Sequence, residues 1–448
     1  MEAAAIAASA APVISESYAR DPVFNCRTYF QEAGKGNKRT IVLVHGVGEE
    51  ASLLWHDLIG LLAEKFHVIA FDLPGFGKSG QGTALYSPER YGEFLHWVIR
   101  ENSTGPVILL GHSLGGALVL RYASIYPETV DHLVVVDAAG ILHRIALSKN
   151  FVRFEEPEPR RKGLPGLIQK PLEKPLHALN KFAGNTMENL EFAKTDLGLE
   201  TIIGYPWLRK FLLGGNPQAI ASLALVQEDF TAHLAGNKVP TSIIWGRDDD
   251  VSPLRTAKLL AGKLPVSRLR IIERAGHVPL RDQPGEFNRV LLAEIEAPPT
   301  AEDGRTAVSG PIRTGSCEGR DDMVFSGRFD KIIINRCRRV LIKNVEAGFI
   351  GITRSEVVLE DTEIRGGEIG LDLERAKVVG TNVLIEAATA IRSSASRIDL
   401  AGAELAATGA ALATPGATVA LFSVSTVDSP GTKGNLHGVY RLEAGKGL

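Results

Sequence analysis

The sequence has few cysteines, no excess of one charge and no long apolar run. Its 448 residues include three cysteines, which are odd in number and far apart. This usage argues against a disulfide framework and for a reducing compartment, so we expect a cytoplasmic protein. The 50 basic and 52 acidic residues nearly balance, which argues against nucleic acid or an anionic membrane as a partner. No run approaches the roughly 18 apolar residues that a membrane-spanning helix needs. The cysteines are Cys26, Cys317 and Cys337.

Short β-branched runs alternate with longer amphipathic stretches over roughly the first 295 residues. The runs are continuously apolar, which is typical of strands in a parallel sheet that helices cover on both faces. The sequence therefore predicts an α/β core over residues 21–140 and 240–297. The predicted strands are 41–44, 68–71, 107–110, 133–136, 242–245 and 269–272.

Two other segments of this first part do not fit the alternation. Residues 1–20 begin with an Ala-rich stretch that no Lys or Arg precedes. A secretory signal normally has such a basic segment, so we expect a disordered arm instead. Residues 141–239 are rich in Pro, Lys, Arg and Leu. Because this stretch is too long for a plain loop, we predict a helical cap over the carboxyl edge of the sheet.

The C-terminal part has a different character. Residues 298–322 are rich in Pro, Gly, Thr and Ser and are predicted to be a linker. In residues 323–448, alternating apolar runs begin about every 20 residues, which suggests a solenoid of stacked coils. A right-handed parallel β-helix fits best, and an irregular antiparallel sandwich is the alternative. The runs begin at Val340, Val357, Val378, Ile398 and Val419, and turn-forming residues follow at Asn344, Asp361, Asn382, Gly402 and Ser423.

One short string predicts a catalytic nucleophile. Gly111-His112-Ser113-Leu114-Gly115 stands between an apolar strand and a helical stretch. A sharp strand-to-helix turn needs small residues beside the nucleophile, because neighbouring chain packs closely against it. Such a turn exposes the serine oxygen and aims the free N–H groups of the helix N-terminus at a substrate. We therefore predict Ser113 as the nucleophile.

A serine hydroxyl needs a base, and the base needs an acid to orient it. His277 lies just past the last predicted strand and can shuttle a proton near neutral pH. Three adjacent aspartates, Asp248, Asp249 and Asp250, follow the preceding strand, and their chemistry alone leaves the choice of acid open. Their place between Ser113 and His277 in the chain suits a hydrolase triad.

Five strings follow one another along the chain: His45-Gly46-Val47-Gly48, Asp72-Leu73-Pro74-Gly75-Phe76-Gly77-Lys78-Ser79, the Ser113 turn, Gly246-Arg247-Asp248-Asp249 and Gly276-His277. With these strings in this order, residues from about 22 to 295 resemble the α/β-hydrolase superfamily, in its cap-bearing esterase and lipase branch. The resemblance implies that Asp249 is the acid, with Asp137 as a minor alternative, and that backbone N–H groups of Val47 and Leu114 form an oxyanion hole.

Four further side chains are candidates for substrate binding: His45, His112, Phe76 and Trp207. Shaping of loops is the alternative role for the two histidines, and core packing is the alternative for the two aromatic residues. Neither a metal nor an organic cofactor is needed for the chemistry expected here.

The expected function is hydrolysis of a small-molecule carboxylic ester with an apolar part. Alternatives are C–C bond hydrolysis, thioester hydrolysis or acyl transfer at the same triad, and ligand sensing on a hydrolase scaffold. The C-terminal part is expected to mediate homo-oligomerisation or docking. Its scarcity of aromatic residues argues against the alternative of a carbohydrate platform.

Overall fold

The computed structural model describes residues 12–48, 50–82, 85–142, 216–303 and 308–448. The chain divides into two units, which are described separately. The first contains the described residues up to 141 together with 228–303, and the second contains the rest. Most of the predicted cap lies outside the described residues, as does Trp207. No helix among the described residues is long and apolar enough to cross a membrane.

The first unit is built on an eight-stranded sheet in the order β1-β2-β4-β3-β5-β6-β7-β8. Strands β3 to β8 are parallel to one another, whereas β1 and β2 are antiparallel additions at one edge. The strands are β1 Ser15–Arg20, β2 Arg27–Ala33, β3 Thr40–Val44, β4 His67–Phe71, β5 Val107–His112, β6 Val130–Val136, β7 Thr241–Gly246 and β8 Ser267–Ile272.

All six predicted strands are present in this sheet, as β3 to β8. Every residue of β3, β5 and β7 is buried, as expected for parallel strands that are covered on both faces. The chain segment 15–20 was predicted to belong to an arm, but it forms β1 and pairs with β2. Its residues are nearly all exposed, so no buried apolar pattern could reveal it.

Helices follow most strands of the first unit and supply the layers of the α/β core. Helix α3 is apolar nearly all round because it packs against β5 and β6, and it ends just before Pro127. The helices of the described chain are α1 His56–Leu62, α2 Pro88–Asn102, α3 Leu114–Ile125, α4 Pro217–Gln227, α5 Thr231–Ala235, α6 Leu254–Lys263, α7 Pro279–Asp282 and α8 Pro284–Glu296. Short 3-10 helices span Ala51–Trp55, Pro127–Thr129 and Ala301–Asp303.

The second unit has an all-β region in which every described strand pairing is parallel except that of the last two strands. Its strands are β9 Arg313–Glu318, β10 Val324–Asn335, β11 Val340–Thr353, β12 Glu356–Arg365, β13 Ile369–Glu374, β14 Lys377–Ser394, β15 Arg397–Ala401, β16 Glu404–Ala413, β17 Thr418–Ser429 and β18 Thr432–Leu442. Strand β9 lies in the predicted linker. It was missed because only Gly315 and Cys317 of its residues are buried.

The predicted repeat positions coincide with the strand register in four of five cases. Val340, Val357, Val378 and Ile398 are paired in succession and buried. The fifth predicted start is displaced, because Ile398 pairs with Ala420 and not with Val419.

The turn positions show the same displacement. Four of the five residues that were expected to turn the chain have positive φ: Asn344, Asp361, Asn382 and Gly402. At the fifth turn, Val424 has positive φ in place of Ser423. Asn, Asp and Gly adopt this left-handed conformation more readily than other residues.

The cysteine usage argued against a disulfide framework, but two of the three cysteines are paired. Cys317 and Cys337 form a disulfide. The pairing of β9 with β10 places Cys317 beside Ile334, three residues before Cys337. Stacking of adjacent strands therefore brings together two cysteines that are 20 residues apart in sequence. The disulfide removes the argument that cysteine usage gave for a reducing compartment. Cys26 is buried and free.

Candidate active site

Ser113 occupies a strained turn between β5 and α3. Its φ of 54° and ψ of −118° lie in a region that non-glycine residues rarely adopt. Two backbone hydrogen bonds hold this conformation: Ser113 N donates to Val136 O at 3.0 Å, and Ala139 N donates to Ser113 O at 3.1 Å. The turn therefore depends on the chain that leaves β6.

The glycines around Ser113 are required by close backbone contacts. A Cβ on Gly115 would lie 2.2 Å from Val44 O, and one on Gly111 would lie 2.3 Å from Gly115 O. A Cβ on Gly46, in the loop after β3, would lie 2.6 Å from the Ser113 Cβ. These approaches explain why small residues flank the serine, as the sequence predicts.

Three predicted side chains meet at the carboxyl edge of the sheet. His277 Nε2 lies 2.9 Å from Ser113 Oγ, and His277 Nδ1 lies 2.8 Å from Asp249 Oδ2. An ionised carboxylate can only accept, so Nδ1 carries the ring proton and Nε2 presents a lone pair to the hydroxyl. This arrangement is able to remove a proton from Ser113 as its oxygen attacks an electrophile.

Asp249 is the aspartate of the loop after β7 that contacts His277. Its side chain is fully buried, whereas Asp248 and Asp250 are exposed. Its Oδ1 accepts hydrogen bonds from the backbone N–H groups of Val251 and Ser252, both at 2.8 Å. The carboxylate is thus held by the backbone on one side and by the imidazole on the other.

Asp137 lies beside this pair, at the end of β6. Its Oδ1 accepts a hydrogen bond from Gly246 N at 2.9 Å, and its side chain is fully buried. One oxygen each of Asp137 and Asp249 and one nitrogen of His277 lie within 4.8 Å of one another. Among the described residues this is the one group with three potential metal ligands, but Asp249 and His277 already bind each other.

The predicted oxyanion donors belong to the start of helix α3 and to the loop after β3. Leu114 is the first residue of α3, and the N–H groups of a first helical turn have no partner within the helix. Val47 follows Gly46, whose close approach to Ser113 places the loop after β3 beside the nucleophile. Both N–H groups stay predicted donors for the oxyanion.

His112 contacts the backbone of His277, and its predicted part in substrate binding stays a prediction. Its Nε2 lies 2.7 Å from His277 O, and because a carbonyl only accepts, Nε2 must carry the proton. Burial, followed by the nearby His277 charge, lowers the pKa of His112 to about 3, so the ring is neutral near pH 7. The sequence carried no signal for this contact between residues that are far apart in the chain.

His45 and Phe76, two of the predicted substrate-binding residues, are buried. His45 is fully buried, and its Nε2 accepts from Leu73 N at 2.9 Å while its Nδ1 donates to Gly46 O at 2.6 Å. Both ring nitrogens are therefore used to fix two loops, the alternative role considered above. Phe76 is 1% exposed and packs edge-on against His45, so it is a core residue.

Comparisons with known proteins show what this chain is similar to. Residues 39–284 match the sequence profile of the alpha/beta hydrolase fold. The chain is 28% identical over 310 residues to the uncharacterized protein Rv2715 of Mycobacterium tuberculosis. This match covers 66% of this chain and 86% of that protein.

Two other relatives have named activities. The chain is similar to 2-hydroxy-6-oxo-6-(2'-aminophenyl)hexa-2,4-dienoic acid hydrolase of Metapseudomonas resinovorans, with 27% identity over 59% of this chain and 86% of that protein. It is also similar to the pimeloyl-acyl-carrier-protein methyl ester esterase of Nitrosomonas europaea, with 28% identity over 56% of this chain and 94% of that protein. Among solved structures, an esterase from Thermogutta terrifontis matches with a TM-score of 0.44 and 23% identity, over 63% of this chain and 98% of that one.

Proposed function

Because this chain belongs to the alpha/beta hydrolase fold family, we propose that it cleaves a carboxylic ester through an acyl-serine intermediate. Ser113 is the nucleophile, His277 the general base and Asp249 the acid that orients the base. The observation that carries this proposal is the continuous contact from Ser113 Oγ through His277 to Asp249, at 2.9 and 2.8 Å.

The proposed cycle uses one proton relay twice. Ser113 Oγ attacks the ester carbonyl while His277 Nε2 takes its proton, and the N–H groups of Val47 and Leu114 stabilise the oxyanion. The C–O bond then breaks, and His277 returns the proton to the leaving alcohol. Water attacks the acyl-serine by the same route and releases the acid. Asp249 stabilises the imidazolium at both stages.

Carbon–carbon bond hydrolysis at the same triad is the second candidate. The relative from Metapseudomonas resinovorans favours it, because the substrate in its name holds a ketone and a carboxylic acid but no ester. The relative from Nitrosomonas europaea, which is named a methyl ester esterase, favours the first candidate. We place ester hydrolysis first because it requires only the triad and the oxyanion donors.

Turnover of p-nitrophenyl esters of graded chain length tests the proposal. We expect the purified protein to cleave the short esters and Ser113→Ala to lower the rate by about ten-thousand-fold. Ser103→Ala, which removes a hydroxyl beyond the end of α2, is the matched control and should retain the wild-type rate. A wild-type protein that neither cleaves any ester nor reacts with a fluorophosphonate would refute the nucleophile assignment and favour ligand sensing.

We also propose that the all-β region winds as a right-handed β-helix and mediates assembly with a second copy of this chain. The parallel register of β11, β12 and β14, each about one 20-residue repeat after the last, supports the coil. Val324 and Val358 support a contact surface. They are 60% and 37% exposed and are joined through Leu341 in one row across three strands.

A further inference from the structure

The active site contains a buried carboxyl group that the proposed cycle does not use. Asp137 is fully buried, and its Oδ2 has no hydrogen-bond donor among the described groups of the protein. A buried oxygen without a partner is costly. Yet one side-chain oxygen of Asp137 lies within 4.8 Å of one of Asp249, the acid of the triad. A proton shared between the two carboxyl groups would account for both the missing donor and the nearby second acid.

The hydrogen-bond donors decide which aspartate carries that proton. Asp249 accepts from three N–H groups, those of Val251, Ser252 and His277 Nδ1. Asp137 accepts from one, that of Gly246. Because N–H donors stabilise the ionised form, Asp249 is the carboxylate and Asp137 is the neutral acid.

We propose that Asp137 is a positioning residue whose neutral carboxyl donates a hydrogen bond from Oδ2 to the Asp249 carboxylate, and so holds that carboxylate in line with His277 Nδ1. This inference rests on the proposed function, because it gives Asp137 a role only through the triad. Asp137 touches neither the nucleophile nor a substrate, and it acts through Asp249.

The electrostatics of the site agree with the neutral form. Burial is the main cause that raises the pKa of Asp137 well above its ordinary value of 3.8, and the charge of Asp249 raises it further. Asp282, whose Oδ2 accepts from Gly276 N, acts in the same direction. His277 is the basic group within 4.8 Å of this pair, and its Nδ1 faces Asp249.

The pH profile of kcat/KM in two variants tests the proposal. In Asp137→Asn, an amide N–H replaces the donor and the amide oxygen keeps the Gly246 contact. We therefore expect a rate within about threefold of wild type and an unmoved acid limb. Asp137→Leu removes the donor, so kcat/KM should fall by about tenfold or more. Its acid limb should move to higher pH, because a less stabilised Asp249 charge attracts a proton to His277 more strongly.

Two other results for the acid limb of the pH profile would contradict the proposal. If Asp137 were ionised, Asp137→Asn would remove a negative charge and move the acid limb to lower pH. If its role were only structural, neither variant would move the limb. Asp248→Asn, which removes a charge from an exposed position in the loop of Asp249, is the control for charge alone.

An infrared difference spectrum provides a readout that needs neither activity nor the Leu variant. Wild type minus Asp137→Asn near pH 7 should contain the C=O stretch of a protonated carboxylic acid. Loss of a carboxylate band alone would overturn the proposal. Failure of the proposed function would be recognised separately, by hydrolysis that persists in Ser113→Ala.

Discussion

At the scale of single residues, the active site depends on which nitrogen or oxygen carries each proton. His45, His112 and His277 lie close together in the fold, yet each has a different hydrogen-bond pattern. His277 alone presents a free lone pair to a hydroxyl, whereas the other two bond to backbone groups. His277 is thereby available as the base, whereas the other two histidines fix the loops around it.

The neutral, buried His112 predicts a loss of stability in acid. Its folded pKa of about 3 lies below the ordinary value of 6.5, so the unfolded chain takes up a proton first as the pH falls. The stability present above pH 6.5 is therefore lost progressively toward pH 3, by on the order of a few kcal/mol. In His112→Gln, which does not titrate, urea unfolding should show a weaker decline over this range.

The same variant separates stability from activity. The Gln amide can donate to the His277 carbonyl, so His112→Gln should keep ester hydrolysis within about tenfold of wild type. Because His132 is also buried with a lowered pKa, of about 4, His132→Gln is the matched control away from the triad. Equal acid sensitivity of stability in wild type and His112→Gln would contradict this, because it would mean that His112 takes up its proton at the same pH in the folded and the unfolded chain.

The roles of single residues were only partly predictable from the sequence. Ser113 and His277 stand in strings whose spacing reflects backbone constraints, so their chemistry could be inferred before their contact was known. The choice of Asp249 needed a family resemblance, since three adjacent aspartates look alike as a string. The bonds of His112 and the proton of Asp137 arise from contacts across strands, and no local pattern encodes such contacts.

At the scale of elements, the predictable parts are those with a continuous buried pattern. Strands β3, β5 and β7 and helix α3 are largely apolar because both faces of the strands and nearly all sides of the helix are covered. Strands β1 and β9 expose most of their residues. They form because their backbone groups pair with those of a neighbouring strand. The fifth repeat and the disulfide were missed because register is set by pairing and not by spacing alone.

The turn between β5 and α3 predicts a strong effect of one methyl group. In Gly115→Ala, the new Cβ would lie 2.2 Å from Val44 O, which forces backbone to move and costs roughly 1–3 kcal/mol. Because the shift passes to Ser113, labelling by a fluorophosphonate should also slow. Thermal unfolding and labelling rates measure the two effects.

A second glycine controls for the substitution itself. A Cβ on Gly60, within helix α1, meets nothing within 4 Å. Gly60→Ala should therefore stabilise the protein by roughly 0.5–1 kcal/mol, because alanine loses less backbone freedom in a helix. Equal stability changes in the two variants would mean that the turn can relax without cost.

At the scale of the whole molecule, the triad and the all-β region belong to different units. Ser113, Asp249 and His277 are carried by one eight-stranded sheet. One apolar cluster of described residues lies within this first unit, and another lies within the all-β region. Each region therefore has apolar side chains of its own to bury, which is the requirement for separate folding.

Removal of residues 304–448 tests this division together with the proposed assembly role. We expect the shortened chain to hydrolyse short esters within about threefold of the full-length rate, because all three triad residues remain. We also expect a smaller oligomer by light scattering.

Val358→Glu in the full chain should reduce assembly in the same way, since it places a charge in the exposed row that includes Val324. Lys343→Glu, a charge change at an exposed residue of β11, is the control. If the shortened chain kept the oligomeric state of the full chain, assembly would have to be mediated by other residues, and the exposed valines would need another explanation.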